Sequence, residues 1–430
     1  MLINRHIDPR VVAGRFESKL LVVLMVGWGV GALYAGLVSG TLPLIRSELG
    51  LNPEEAGRVL SAWLLGMLLG AFLLGYVADS YGRRFSILAS SALMGVFTPL
   101  SAAARSWLDL ALFRVLAGAG NAGYMVTASV LMSEYAPTRV RGRSVAILES
   151  AWAFGWLAAL LLSRLLAPAH GWRSVFAASS FGLALLPALY LLVPESLRYL
   201  LSKGRERDAE LLARRLGVAA PAVEPVKRAS VGDLLRKPYA RRTVMLWVHW
   251  FMIVLTYWGI FLWLTDVLYA RGLPFVRSLD YSIAITLAQI PGYLSTAYLI
   301  EVVGRKWVLV GYMLGAGAAS LGMWAASSEA EVLLWGILVS FFNLGAWGVT
   351  YAYTPELYPT RLRGTGSGWA NAFGRIGGIV GPYLAGALML AYRDPLAPFI
   401  MFAVGHLVSA ATVALLGVET RGKSLEELAG

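Results

Sequence analysis

Apolar residues run along this chain in long unbroken stretches, not at the one-face spacing of a helix resting on a soluble core. Leu20 to Ile45, Val59 to Ala78 and Leu333 to Thr354 each reach the roughly 20 residues that cross about 30 Å of hydrocarbon. The pattern predicts twelve membrane-spanning helices. Six fall near residues 20–45, 58–78, 85–104, 107–133, 144–167 and 172–193, and six near 243–268, 280–300, 307–326, 332–354, 365–391 and 396–417. Connections are short except residues 194–242, a Lys- and Arg-rich stretch with Pro221, Pro225 and Pro238 and a predicted amphipathic helix from Glu206 to Leu216. The expected fold is all-α: a six-helix bundle over 1–193, a cytoplasmic linker over 194–242, and a second six-helix bundle with a cytoplasmic tail over 243–430. The first apolar run begins near Leu20 and is too long for the core of a secretion signal, so it is expected to stay as the first span.

Composition sharpens this picture. Hydrophobic residues make up 58% of the chain and charged residues 14%, against about a quarter charged in a domain that faces water on all sides. There is no cysteine, which excludes a disulfide frame, a thiol nucleophile and a thiolate metal site. His6, His170, His249 and His406 are scattered, so no metal centre is expected. Nor is a cofactor, since no Walker phosphate loop is present to take ATP. A net charge of +12 would suit nucleic acid, but its placement argues otherwise. Roughly 27 of the 37 Lys and Arg fall on one predicted side, in the N-terminus, the even-numbered loops and the tail. That is the positive-inside pattern, which puts both termini in the cytoplasm and leaves the bilayer, not nucleic acid, as the partner.

The two halves repeat. Gly82-Arg83-Arg84 returns as Gly304-Arg305-Lys306, and Glu134-x-x-Pro137-Thr138-Arg139-x-Arg141-Gly142 returns as Glu356-x-x-Pro359-Thr360-Arg361-x-Arg363-Gly364. Both pairs keep an offset of 222 residues (304 − 82 and 356 − 134). A shared offset reads as internal duplication, with a solute path expected between the repeats near the bilayer midplane. The loop Gly75-x-x-x-Asp79-x-x-Gly82-Arg83-Arg84 resembles the signature of the major facilitator superfamily. Pro194-Glu195-Ser196-x-Arg198-Tyr199-Leu200 and Glu419-Thr420-Arg421-Gly422-Lys423 resemble its sugar-porter branch. Leu148-Glu149-Ser150-x-Trp152, Gln289-Ile290-Pro291-Gly292-Tyr293 and Ala372-Phe373-Gly374-Arg375 are most similar to bacterial niacin-type and other organic-ion carriers. The resemblance implies a monomeric multi-pass transporter of the cytoplasmic membrane, not an enzyme, that moves a small solute by alternating access, with protons as candidate coupling ions.

Two sets of charges stand out. In the cytoplasmic loops, Asp79, Arg83, Arg84, Glu134, Arg139, Arg141 and Glu195 form one candidate gate cluster, and Glu301, Arg305, Lys306, Glu356, Arg361, Arg363 and Glu419 the other. The expectation is that such pairs latch helix ends when that side is shut and part when it opens; the plainer alternative is that they only set topology. Inside the spans a charge is costly and marks function by default. Arg375 lies about ten residues, or about 15 Å, into span eleven, near the midplane. Its planar fork suits a carboxylate. Trp258, Tyr257, Trp347 and Tyr351 are candidates to hold a ring, and Gln289, Asn343, Asn371 and Tyr34 complete the candidate substrate set. Glu149 in span five is either a proton carrier or the partner of a nearby arginine. Asp266 is expected at the interface, and His406 as a satisfied bundle residue. Trp107, Trp172 and Trp307 fit an interfacial belt, while Gly66, Gly70, Gly118, Gly120, Gly377, Gly378 and Gly381 permit close helix approach.

The resemblance also implies that Arg114 matches an arginine that faces a proton-carrying aspartate in sugar porters. Aligned on Gly36-Leu37-Val38-Ser39-Gly40, that aspartate's place is taken by Tyr34, and two further acids of niacin-type carriers fall at Gly31 and Tyr124. All three departures remove negative charge, which disfavours a cationic solute and a copied proton-symport mechanism. The sequence thus reads as a carrier of a small organic anion, such as an aromatic monocarboxylate. A sugar or polyol facilitator stays open, although span seven lacks paired glutamines for hydroxyls; so does a non-transporting membrane sensor on the same scaffold.

Overall fold

The structure, a computed structural model, describes residues 9–136, 141–218 and 230–422. The long apolar stretches are helical, because in lipid only intra-segment bonds can satisfy each backbone N–H and C=O. Spans one to four are Pro9–Leu49, Pro53–Tyr81, Arg83–Leu100 and Trp107–Tyr135. Spans five and six share one element, Arg141–Ala178, broken at Gly171 (φ 74°, ψ 173°) and continued through Ser179–Ala184 and Leu185–Leu192. The apolar segment Ser144–Leu192 has 49 residues, enough for two crossings. The second half holds Ala240–Ala270, a two-part span eight (Phe275–Leu287 and Gln289–Val302), Arg305–Ala325, Glu329–Glu356, Thr360–Tyr392 and Pro398–Leu416. The result, among the described residues, is twelve transmembrane helices in two pseudo-symmetric six-helix bundles.

Between the halves run the short helices Leu197–Ser202, Glu206–Leu216 and Val231–Leu234. The second is amphipathic as expected, burying Ala209 and Ala213. These helices mark one end of the bundle, the linker face. Span eight departs from its predicted bounds, starting at Phe275 and breaking at Ala288. Pro291 explains the break, since its ring crowds the carbonyl four residues back and it has no N–H to donate.

The duplication reaches further than the two loop motifs. At the face opposite the linker, spans two, four and ten begin in capping boxes: Asn52 with Glu55, Ser106 with Asp109 and Ser328 with Glu331. Ser106 and Ser328 stand 222 residues apart (328 − 106), and each cap satisfies N–H groups that the helix start leaves free. Helix contacts repeat too. A Cβ on Gly70 would lie 2.2 Å from the Ala119 carbonyl oxygen in span four. On Gly292, the repeat mate of Gly70, it would lie 2.3 Å from the carbonyl of Phe341, the mate of Ala119. Any side chain there would wedge a helix pair apart.

The two halves meet near the opposite face. Ser39 Oγ donates to the Phe261 carbonyl (2.6 Å) and Ser61 Oγ to the Ile379 carbonyl (2.6 Å). Arg164 pairs with Asp280 at 2.8 Å, and Arg46 pairs with Asp266. Asp266 lies near the linker-distal end of span seven, at the depth the sequence suggested, but it is 2% exposed and its partner comes from the other half. Among the described residues, no ion pair joins the linker-side ends of spans four and five to those of spans ten and eleven. The cleft between the halves opens toward the linker face.

Candidate functional site

Glu149, Trp152 and Trp156 fall at i, i+3 and i+7 of span five and so share one helix face. That face meets the second half through rings. Trp152 and Trp156 lie 5.7 and 5.9 Å from Trp258, both edge-on, and Trp156 lies 6.3 Å from Tyr257. The Trp152 indole N–H donates to the Tyr257 hydroxyl at 3.1 Å. Tyr257 then touches Trp347 (5.6 Å), which touches Tyr351 (5.6 Å), while Trp250 stands edge-on to both at 5.7 and 5.5 Å. The four aromatic residues expected from sequence thus form one cluster, to which Trp152, Trp156 and Trp250 belong. It is sealed at Tyr257 and Trp258, which are buried, and open at Tyr351, 38% exposed near the linker-side end of span ten.

Charge gathers at the open end. Tyr351 is within electrostatic reach of Glu149 from the first half and of Arg375, Tyr293 and Tyr257 from the second. The Arg375 guanidinium and the Glu149 carboxylate are half-buried, and neither has a hydrogen-bond or ion-pair partner among the described residues. Arg375 stands beside glycines. A Cβ on Gly374 would lie 3.1 Å from Trp250, and one on Gly378 3.3 Å from Trp258. Asn371, half-buried one turn before Arg375, is the repeat mate of Glu149 (371 − 149 = 222).

Other expected site residues face elsewhere. Tyr34 is fully buried, its hydroxyl donating to the Ser179 carbonyl at 3.2 Å in the space left by Gly182, so it faces span six within the first half and not the cleft. Arg114 is fully buried and donates to the Tyr34 and Ala35 carbonyls (2.9 and 3.1 Å), with Trp63 4.2 Å beneath it. Span-one backbone oxygens and a ring face serve this guanidinium where sugar porters offer an acid, and it has no carboxylate partner among the described residues. Asn343 is buried in a polar net inside the second half, bonded to Thr256 (3.1 Å) and to His406 (2.9 Å), which in turn meets Ser320 (3.3 Å). Gln289 is buried in span eight with its amide nitrogen unpartnered.

The loop charges form two copies of one clasp. Arg83 pairs with Asp79 (3.0 Å) and Glu134 (3.8 Å), and its backbone N–H donates to Glu195 (2.7 Å). Arg305 pairs with Glu301 (3.1 Å) and Glu356 (3.2 Å), and its N–H donates to Glu419 (3.0 Å). Gly82 and Gly304 turn at φ 107° and 105°, and a Cβ on either would lie 2.2 or 2.5 Å from the Glu195 or Glu419 carboxylate. Arg84 instead donates to the Tyr190 carbonyl, and Arg363 to that of Pro355 at 3.2 Å, while Arg361 is exposed. Arg139 and the side chain of Arg141 lie outside the described residues. Each clasp ties helix ends of its own half and stands while the cleft is open to its face, so this opening does not require the pairs to part. Since Arg83 is far in sequence and span order from the aromatic cluster, Arg83→Ala should slow uptake by roughly 10-fold, within the usual range of coupling between distant sites. Binding, read by the thermal midpoint with ligand, should stay within about twofold. Equal loss of both would place Arg83 at the site.

Two duplicated bundles around a cleft lined by aromatic rings and unpaired charges define a secondary transporter of the major facilitator fold. Residues 51–429 match the sugar (and other) transporter family, and the chain belongs to it. Among its relatives, the niacin transporter NiaP of Acinetobacter baylyi is 38% identical, covering 96% of this chain and 97% of its own. The benzoate transport protein of the same organism is 27% identical over 87% of this chain and 84% of its own. The xylose transporter XylE of E. coli, solved partially occluded and inward open, superposes with a TM-score of 0.79 at 17% identity, covering 95% of this chain and 100% of XylE.

Proposed function

We propose that this protein carries a small aromatic monocarboxylate, with nicotinate the leading candidate, across the cytoplasmic membrane by alternating access. The observation that carries this reading is the unpartnered guanidinium of Arg375, half-buried at the open end of the aromatic cluster. A carboxylate completes the guanidinium fork and the rings receive the rest of the solute. The names of the two relatives fit, since niacin and benzoate are each one ring with one carboxyl group. A sugar would need side-chain amides for its hydroxyls, and Asn343 turns its amide nitrogen to Thr256 and His406 inside the second half, away from the aromatic cluster. The units 1–193 and 243–430 rock about this site as a monomer, and Glu149 is the group through which protons would couple.

A thermal-shift comparison of purified protein with nicotinate, nicotinamide, benzoate and xylose tests the reading. A ligand that binds only the folded state raises the midpoint with concentration, so both acids should raise it and the amide and sugar should not. Equal shifts with nicotinate and nicotinamide would remove the anion reading. A cytoplasmic linker face is supported by its Lys and Arg excess. In this cysteine-free chain, Ser202→Cys should then resist an impermeant thiol reagent outside intact cells while Ser328→Cys reacts. The reverse pattern would invert the topology.

A further inference from the structure

Arg375 and Glu149 have no ion-pair partner among the described residues, sit on spans of opposite halves, and share Tyr351 as a neighbour. We infer that Glu149 is the internal counter-anion of Arg375: it neutralises the guanidinium when the empty cleft closes, and so decides whether the protein performs net transport or only exchange. The inference rests on the reading of Arg375 as the carboxylate site.

The argument begins with cost. A guanidinium left bare in a closed, dry cleft costs several kcal/mol, so the cleft cannot readily close over Arg375 without an anion. Solute supplies one on the loaded stroke. On the empty stroke the chain must supply its own. Asp266 is already spent on Arg46 and Asp280 on Arg164, both at the opposite face, which leaves Glu149 as the span acid beside the aromatic cluster. Geometry provides the approach. Glu149 lies on the linker side of Trp152, and Tyr351 near the linker-side end of span ten, in the part of the cleft that is open here. Closing that face brings spans five, ten and eleven together and carries Glu149 toward Tyr351 and Arg375. The repeat supports a role across the seam: the mate of Glu149 is the neutral Asn371, so the acid belongs to one half and the base to the other.

The deciding experiment needs no solute. Ser61, 7% exposed and bonded across the seam to Ile379, is uncovered when the halves part at the opposite face, so Ser61→Cys labelled from that face reports the empty carrier's turnover. In buffer free of carboxylates, adding Glu149→Gln should slow its thiol labelling at least 10-fold, and adding Arg375→Gln to that variant should restore it. In proteoliposomes loaded with labelled nicotinate, Glu149→Gln should lower the ratio of net efflux to exchange at least 10-fold, with Glu149→Asp recovering part of it. Unchanged labelling in Glu149→Gln, or no recovery in the double variant, would overturn the inference. Normal nicotinate binding by Arg375→Ala is a separate result and would instead remove the anion site.

Discussion

Replacing Arg375 by alanine should weaken nicotinate binding by at least about 100-fold, a loss of about 2.8 kcal/mol, in an assay that leaves the unfolding midpoint of the empty protein near its native value. The size follows from removing one partner of a desolvated charge pair, which leaves the carboxylate with only the neutral Tyr O–H and Trp N–H donors of the cluster. Folding should be spared, because the guanidinium makes no hydrogen bond or ion pair among the described residues. Arg375→Lys keeps the charge but loses the planar fork, so binding should fall about 10-fold while the acid is still preferred to the amide. Direct titration of purified variants with nicotinate and nicotinamide separates the cases. Normal affinity in Arg375→Ala would make the residue structural and return the sugar reading to consideration.

The second large effect is expected at the opposite face. Asp266→Asn keeps the shape of the side chain but leaves Arg46 with only the face of Trp263, 5.8 Å away, in place of its ion pair. Breaking a buried pair in this way costs about 3–5 kcal/mol, and the 22% exposure of the Arg46 side chain puts this case at the low end. The cost falls only on the state in which the halves touch there, so the equilibrium should move toward opening on that side. Labelling of Ser61→Cys should rise at least about 10-fold and uptake should slow. The exchanged pair Arg46→Asp with Asp266→Arg should recover part of both. If labelling does not change, the ion pair does not hold the face shut.

The spans and the duplication were legible because lipid imposes a length and an apolar composition that no other environment demands. What sequence could not give was direction. Tyr34, Asn343 and Arg114 lie at plausible depths, yet their side chains point into one half, toward the Ser179 carbonyl, His406 and the span-one carbonyls. Depth is set by position in a span, and facing by helix rotation, which packing alone decides. Asp266 shows the converse. Arg46 and Asp266 close the linker-distal ends of spans one and seven with opposite charges, and that symmetry was a usable signal that depth alone obscured. Trp152, Trp156 and Glu149 share a helical face, so their convergence was readable from spacing; the role of Trp250 in joining them was not.

The two clasps carry a consequence for the order in which the chain is made. The first is completed by Glu195, with Tyr199 donating to the Ser80 carbonyl at 3.1 Å, all within residues synthesised before span seven begins. The second waits for Glu419, which comes only after the last span has been inserted. The first half can therefore fasten its own turn while the ribosome is still translating the linker, and the second half is fastened only once residues beyond span twelve have emerged.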